Sequence, residues 1–108
     1  MPGASSNRVI ATVRVREAPL GVAGSPDGSR VYVTNQFDST VSVIDTTSNR
    51  VTATVRIESG PIGVAVSPDG LQIYVANIGS ITVSVIDAAT IEEGTGPVAL
   101  GQFIAVLP

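Results

Sequence analysis

The sequence predicts an all-β fold of two four-stranded antiparallel units, and three observations carry the prediction. The first is an internal repeat: residues 9–50 align with 51–92 without a gap at an offset of 42, with 22 identities. A fixed period of about 20–50 residues marks a modular architecture. The second is vocabulary. Val, Ile, Thr, Ser and Gly dominate and only 14% of residues are charged, a composition suited to pleated, half-buried strands. The third is punctuation, since "SPDG" stands at both 25–28 and 67–70, and Pro, Asp and Gly in that order suit a tight turn between antiparallel strands. No segment shows helical periodicity with caps.

Each unit holds four short runs of strand character. "VIATVRV" (9–15) and "VTATVRI" (51–57) alternate, with Val9, Ala11, Val13 and Val15 on one face and Thr12 and Arg14 on the other, as half-exposed outer strands should. "LGVAG" (20–24) and "IGVAV" (62–66) are small and apolar, with glycine inside the run, which suits an innermost strand crowded by other backbones. "RVYVT" (30–34) and "QIYVA" (72–76), then "TVSVID" at 40–45 and 82–87, are nearly continuous apolar runs. Middle strands covered on both faces read this way. Pro26 and Asp27, like Pro68 and Asp69, suit the centre of a type I turn, with Gly28 and Gly70 taking the positive φ that follows. "DTTSN" (45–49) is another run of turn formers, in which Asp45 is expected to bond its own backbone.

Composition narrows function. The net charge is −3, with six arginines, no lysine and no basic cluster, so the electrostatic footprint of a nucleic-acid binder is missing. The chain has no histidine, which removes the commonest general base and the commonest transition-metal ligand together. It has no cysteine, so disulfides and thiol chemistry are absent and the redox compartment cannot be read from thiols. No apolar run reaches the length of a membrane span. The stretch "MPGASSNRVIATVRV" (1–15) shows no apolar core of a signal peptide. No metal and no cofactor are expected.

A unit of about 40 residues with four antiparallel strands, small inside and partly polar outside, has the design of a β-propeller blade. Its pattern, "GPxGVAVSPDGxxxYVxN…TVSVID", closely resembles the YVTN-type β-propeller repeat of archaeal surface-layer proteins and of many bacterial secreted or periplasmic proteins, over residues 9 to about 90. The first unit departs from the pattern at Gly24, where its twin has Val66, and the second at Ala76, where the first has Thr34. The resemblance implies a propeller fold and a habit of binding, a secreted, periplasmic or cell-surface location, and no catalytic signature to carry over.

Residues 1–108 are therefore read as a single two-blade unit with a divergent C-terminal strand in 96–108. Propellers are closed rings of about four to eight blades, and repeat architectures generally need about three units to cover their faces. Two blades alone expose two apolar sheet faces, which predicts partners. Self-association is expected, with three chains favoured and four next, since pairs of blades make six or eight. The second unit lacks an evident outer strand, because the "GP" of the next unit arrives six residues early, at Gly96 and Pro97. Two candidates can complete it: strand 9–15 from another copy, or the tail "GPVALGQFIAVLP" (96–108). A C-terminal piece of a longer propeller is a further alternative.

Antiparallel order places the two "SPDG" turns at one end of the blades and the loops at 36–39 and 78–81, with 16–18 and 58–60, at the other. The two "SPDG" turns are identical, whereas "QFDS" stands against "IGSI" and "REA" against "ESG". Recognition is expected where the units vary, and Arg16, Glu17, Phe37 and Asp38 form the most chemically varied set. Phe37 can anchor a partner or pack on its own blade. Tyr32 and Tyr74 are read as packing between blades, and Asn35 and Asn77 as closing a turn through side-chain to backbone bonds. Asp45 and Asp87 are read as turn caps, with a cation-holding ring of carboxylates as the alternative. The expected function is a non-catalytic binding or scaffold module that assembles into a ring and offers one loop face to a protein or glycan. The alternative is a carboxylate-dependent hydrolase or lyase built on Asp38 and Glu17, which needs paired acids with one raised in pKa by burial.

Overall fold

The computed structural model describes residues 7–91 and, beyond them, the strand backbone at 97–98 and 103–107. Among the described residues nine strands form two sheets: β1 (Pro19–Gly24), β2 (Arg30–Asn35), β3 (Thr40–Asp45), β4 (Arg50–Arg56), β5 (Pro61–Val66), β6 (Gln72–Asn77), β7 (Thr82–Asp87), β8 (Pro97–Val98) and β9 (Phe103–Leu107). The first sheet runs β1-β2-β3-β4-β8 and the second β5-β6-β7-β9. Within each unit consecutive strands pair antiparallel, while β8 pairs parallel with the outer edge of β4. A 3-10 turn at Ala88–Thr90 follows β7, capped by the Asp87 side chain.

The predicted turns form as twins. Gly28 N donates to Ser25 O at 3.0 Å and Gly70 N to Ser67 O at 2.8 Å, with both glycines at φ +77. Asp27 Oδ1 accepts from Ser25 Oγ, Ser29 N and Ser29 Oγ, and Asp69 Oδ1 from Ser67 Oγ and Leu71 N. The carboxylate ties down the turn that follows it. Asp45 does the same for its own loop, accepting from Ser48 N and Ser48 Oγ.

Register decides which residues meet between the sheets. Tyr32 lies opposite Val43, Thr34 opposite Val41 and Ala23 opposite Tyr32, so these share the face turned toward the second sheet. Val64 opposite Val75 and Val66 opposite Ile73 line the face that meets it. The core combines Tyr32, Val41, Val43, Ala53, Val55 and Ile57 of the first unit with Ile73, Val75, Ile86, Ala88 and Ile91 of the second, and Val64 and Val66 pack against it. Each fully buried Val or Ile contributes about 1.5–3 kcal/mol. Polar groups stitch the same joint: Thr34 Oγ1 accepts from Gly21 N at 2.8 Å and donates to Ile62 O at 3.2 Å. Arg30 Nη1 donates to Ala88 O at 3.1 Å.

Several expectations need correction. Residues 9–15 form no strand, and Val9 and Ile10 are 80% and 87% exposed. The outer position of the first sheet already belongs to β4, so this segment has no ladder to join, and an unpaired strand does not offset its ordering entropy. The outer position of the second sheet is filled from the tail instead, where β9 pairs antiparallel with β7. The middle strands are not all covered on both faces: β6 alternates, with Tyr74 and Ala76 exposed, because no third sheet lies beyond it. Tyr32 is buried between sheets as expected, but Tyr74 is 37% exposed. The remaining tail residues, 92–96, 99–102 and 108, lie outside the described residues.

Candidate functional site

The two ends of the blades are built as the strand order requires. At one end Thr46 N donates to Ser29 O and Ala88 N to Leu71 O, joining the "SPDG" turns to the connections after β3 and β7. At the other, Gln36 N donates to Ala18 O, Ile78 N to Gly60 O and Gly79 N to Ser59 O. This second end is the variable loop face, and it holds all four candidate residues.

The structure brings two of the four into contact. Arg16 Nε donates to Asp38 Oδ2 at 2.6 Å, and Thr40 Oγ1 donates to the same oxygen at 3.0 Å. Asn35 Nδ2 in turn donates to Thr40 Oγ1 at 3.2 Å and to Ser42 Oγ at 2.9 Å. An ionised carboxylate only accepts, so the Thr40 proton points to Asp38 and its lone pair to Asn35, which fixes the amide orientation. A polar chain thus runs from a buried side chain of the sheet to the loop surface. The Asn35 bonds are to side chains, not to the backbone as expected, because β3 presents Thr40 and Ser42 on the same face. Asn77 repeats the arrangement with Thr82 and Ser84. Both amides keep a buried Oδ1 without a hydrogen-bond partner.

Glu17 and Phe37 make no such contacts with the pair; Glu17 is exposed, and Phe37 is 77% exposed, so its ring does not pack on its own blade. Desolvation raises the Asp38 carboxyl, but hydrogen bonds from Arg16 and Thr40 and the charges of Arg16 and Arg56 outweigh it, and the net shift is downward. The arrangement keeps Asp38 ionised, so it does not serve as the protonated acid of a glycosidase pair. The ion pair is partly exposed, so its stabilisation is at most about 1 kcal/mol.

Two further residues belong to this face and were not singled out from the sequence. Ile78 and Ile81 are 60% and 83% exposed, beside a shallow apolar pocket of about 290 Å³ lined by Ile62, Ala76, Asn77, Ile78, Ile81, Thr82 and Val83. The signal was present in "IGSI", whose ends are apolar where "QFDS" is polar. Ile81 has φ 56, as does its twin Ser39, so the loop imposes the left-handed conformation that a β-branched residue adopts at a cost. Ile81→Asn is expected to raise stability by about 1 kcal/mol, read as a higher urea midpoint. A midpoint unchanged or lowered would show that the Ile81 side chain makes compensating contacts.

A larger cleft of about 420 Å³ lies at the opposite end, between the two "SPDG" turns, with Asp27, Arg30, Tyr32, Asp69 and Ala88 in its lining. Its carboxylates are committed to their own turns. The Ser29 amide, then the hydroxyls of Ser25 and Ser29, hold Asp27 at about 2, below 3.8. The Ser67 hydroxyl and the Leu71 amide lower Asp69, and the Ser48 amide and hydroxyl lower Asp45. A carboxyl depressed in the folded state stabilises above its unfolded pKa and loses that contribution as pH falls through the folded value. The urea midpoint is therefore expected to hold from neutral pH to about 4.5 and to fall between about 4 and 2. Asp27→Asn should remove part of the fall; an unchanged profile would contradict the assignment. Among the described residues no helix is long and apolar enough to cross a membrane.

No family model matches the chain, and no curated protein matches it. Solved structures do. Hydrazine synthase of Kuenenia stuttgartiensis is 28% identical with a TM-score of 0.69, over 89% of this chain and 31% of that one. The dihydro-heme d1 dehydrogenase NirN in complex with DHE is 29% identical with a TM-score of 0.74, over 92% of this chain and 19% of the other. The WD40 repeats of RRP9 share the fold at 15% identity, with a TM-score of 0.66 over 76% of this chain. The chain spans less than a third of the length of these structures. All are β-propeller proteins. With β1–β4 and β5–β7 each in antiparallel order in two sheets packed together, this chain has an all-β fold of β-propeller blades.

Proposed function

We propose that this chain is a non-catalytic scaffold module of the YVTN repeat type, which completes a propeller ring with further copies of itself and displays its variable loop face to a protein partner. One observation carries the assembly: each partly open sheet face is the repeat twin of a face that packs inside the chain. On the first sheet, Val22, Val31, Val33 and Ile44 lie on one face, and their twins Val64, Ile73, Val75 and Ile86 line the joint. On the second, Gly63, Ala65, Tyr74, Ala76, Val83 and Val85 share a face, and their twins are Gly21, Ala23, Tyr32, Thr34, Val41 and Val43. The two open faces are the two halves of a joint that the chain already makes once. Such a contact is heterologous, and it closes into a ring when the rotation per blade divides the circle.

The loop face supports recognition through exposed apolar side chains at Phe37, Ile78 and Ile81, next to the Arg16–Asp38 pair and Glu17. Large apolar anchors beside a charged rim favour a protein surface over a glycan. Molar mass by light scattering tests the assembly. Three chains are expected, or four, and deletion of residues 1–15 should leave the mass per ring unchanged apart from the residues removed. A folded monomer at every concentration would overturn the reading.

A further inference from the structure

We infer that the ring is seamed: its joints between copies are looser than the joint inside each chain, so it opens and exchanges protomers at every second blade boundary. This rests on the assembly proposed above and names the partner surface, with the face of Ala65, Tyr74 and Ala76 on one copy covering the face of Val22, Val31 and Val33 on the next. The two kinds of joint share their aromatic and most of their branched residues. Three of the differences between them each remove a contact from the joint between copies.

The first is the hydroxyl bridge. Inside the chain Thr34 Oγ1 takes the Gly21 amide and reaches across to Ile62 O, so the backbones approach closely enough that a Cβ on Gly21 would lie 2.6 Å from that carbonyl. At the open face the twin of Thr34 is Ala76, which has no hydroxyl to offer. The second is apolar filling. Val66 packs against the shared core, but its twin, Gly24, contributes no side chain, and a Cβ there would meet only Arg30 O at 3.9 Å. The third is the guanidinium. Arg30 Nη1 crosses the joint to Ala88 O, whereas its twin, Gln72, accepts from Tyr74 Oη of its own strand at 2.8 Å. Two hydrogen bonds and a half-buried valine are therefore present at one joint and missing from the other, and Ile73, Ala88 and Ile91 of the internal core have the smaller or more polar twins Val31, Thr46 and Asn49.

Restoring the lost contacts tests this directly. Ala76→Thr and Gly24→Val together put the bridge and the side chain back at the joint between copies, at positions where the isolated chain has room. The concentration at which half the assembly dissociates, read by a dilution series in sedimentation velocity, is expected to fall about tenfold or more for the pair. Ala76→Thr alone, on an exposed position, should give part of that shift. A wild-type assembly that neither variant tightens would overturn the seam while leaving the ring in place; a wild-type chain that never assembles would overturn both. Val22→Asp and Ala76→Arg identify the faces. Each variant alone should be monomeric, and an equimolar mixture should give a two-chain species, because one intact face remains on each. If both variants alone keep the wild-type mass, these faces are not the joint.

Discussion

Tyr32→Ala is expected to cost the chain about 3–5 kcal/mol of folding stability, the range for truncating a large buried aromatic, whereas Tyr74→Ala should cost the isolated chain less than about 1 kcal/mol. The two tyrosines are the same residue of the same repeat, in the same register with Val43 and Val85. Only their surroundings differ, since Tyr32 is 1% exposed in the joint and Tyr74 is 37% exposed beyond it. Urea unfolding of the two variants measures the difference. In the assembled ring Tyr74 acquires the surroundings of Tyr32, so Tyr74→Ala should dissociate the assembly at concentrations where the wild type holds together. Equal costs for both substitutions in the monomer would mean that something within the chain covers Tyr74.

Gly21→Val is expected to be the most disruptive change at a small residue, costing about 2–4 kcal/mol, because overpacking that displaces backbone exceeds the usual range for added methyl groups. A Cβ at this site would stand 2.6 Å from Ile62 O and 3.0 Å from Thr34 Oγ1. The first atom is backbone and cannot rotate away, and the second already spends its hydroxyl on the bridge. The substitution therefore pushes β1 from β5 and breaks both Thr34 hydrogen bonds. Gly63→Val, at the twin position, meets only Ala76 Cβ at 3.9 Å and should leave the monomer's urea midpoint nearly unchanged while lowering the mass in solution. Loss of stability from both would refute the distinction between a closed and an open joint.

Much of this molecule was legible as sequence. The 42-residue offset, the glycine and carboxylate of the "SPDG" turns, and the Asp45 turn cap follow from local chemistry, since a positive φ and a side-chain acceptor two or three residues from its amide need no tertiary partner. The polar chain from Asn35 to Asp38 was not legible, because it depends on which residues of β3 share a face with Asn35. Nor was the exposure of Ile81, whose strained backbone belongs to the loop and not to the residue.

The outer strands show the limit most plainly. Residues 9–15 and 51–57 share "ATVR" and the same alternation, yet 50–56 is β4 and 9–15 is no strand at all. A strand exists only against a neighbour's backbone, and the neighbour of 9–15 was not set by its own residues. "TVSVID" likewise is buried from Thr40 to Ile44 in β3 and half open at the start of β7. The sequence by itself determined the repeat, the turns and the apolar alternation, all of which are properties of a few consecutive residues. Only the tertiary structure decided which copy of each face is covered, because burial depends on what lies beyond the sheet.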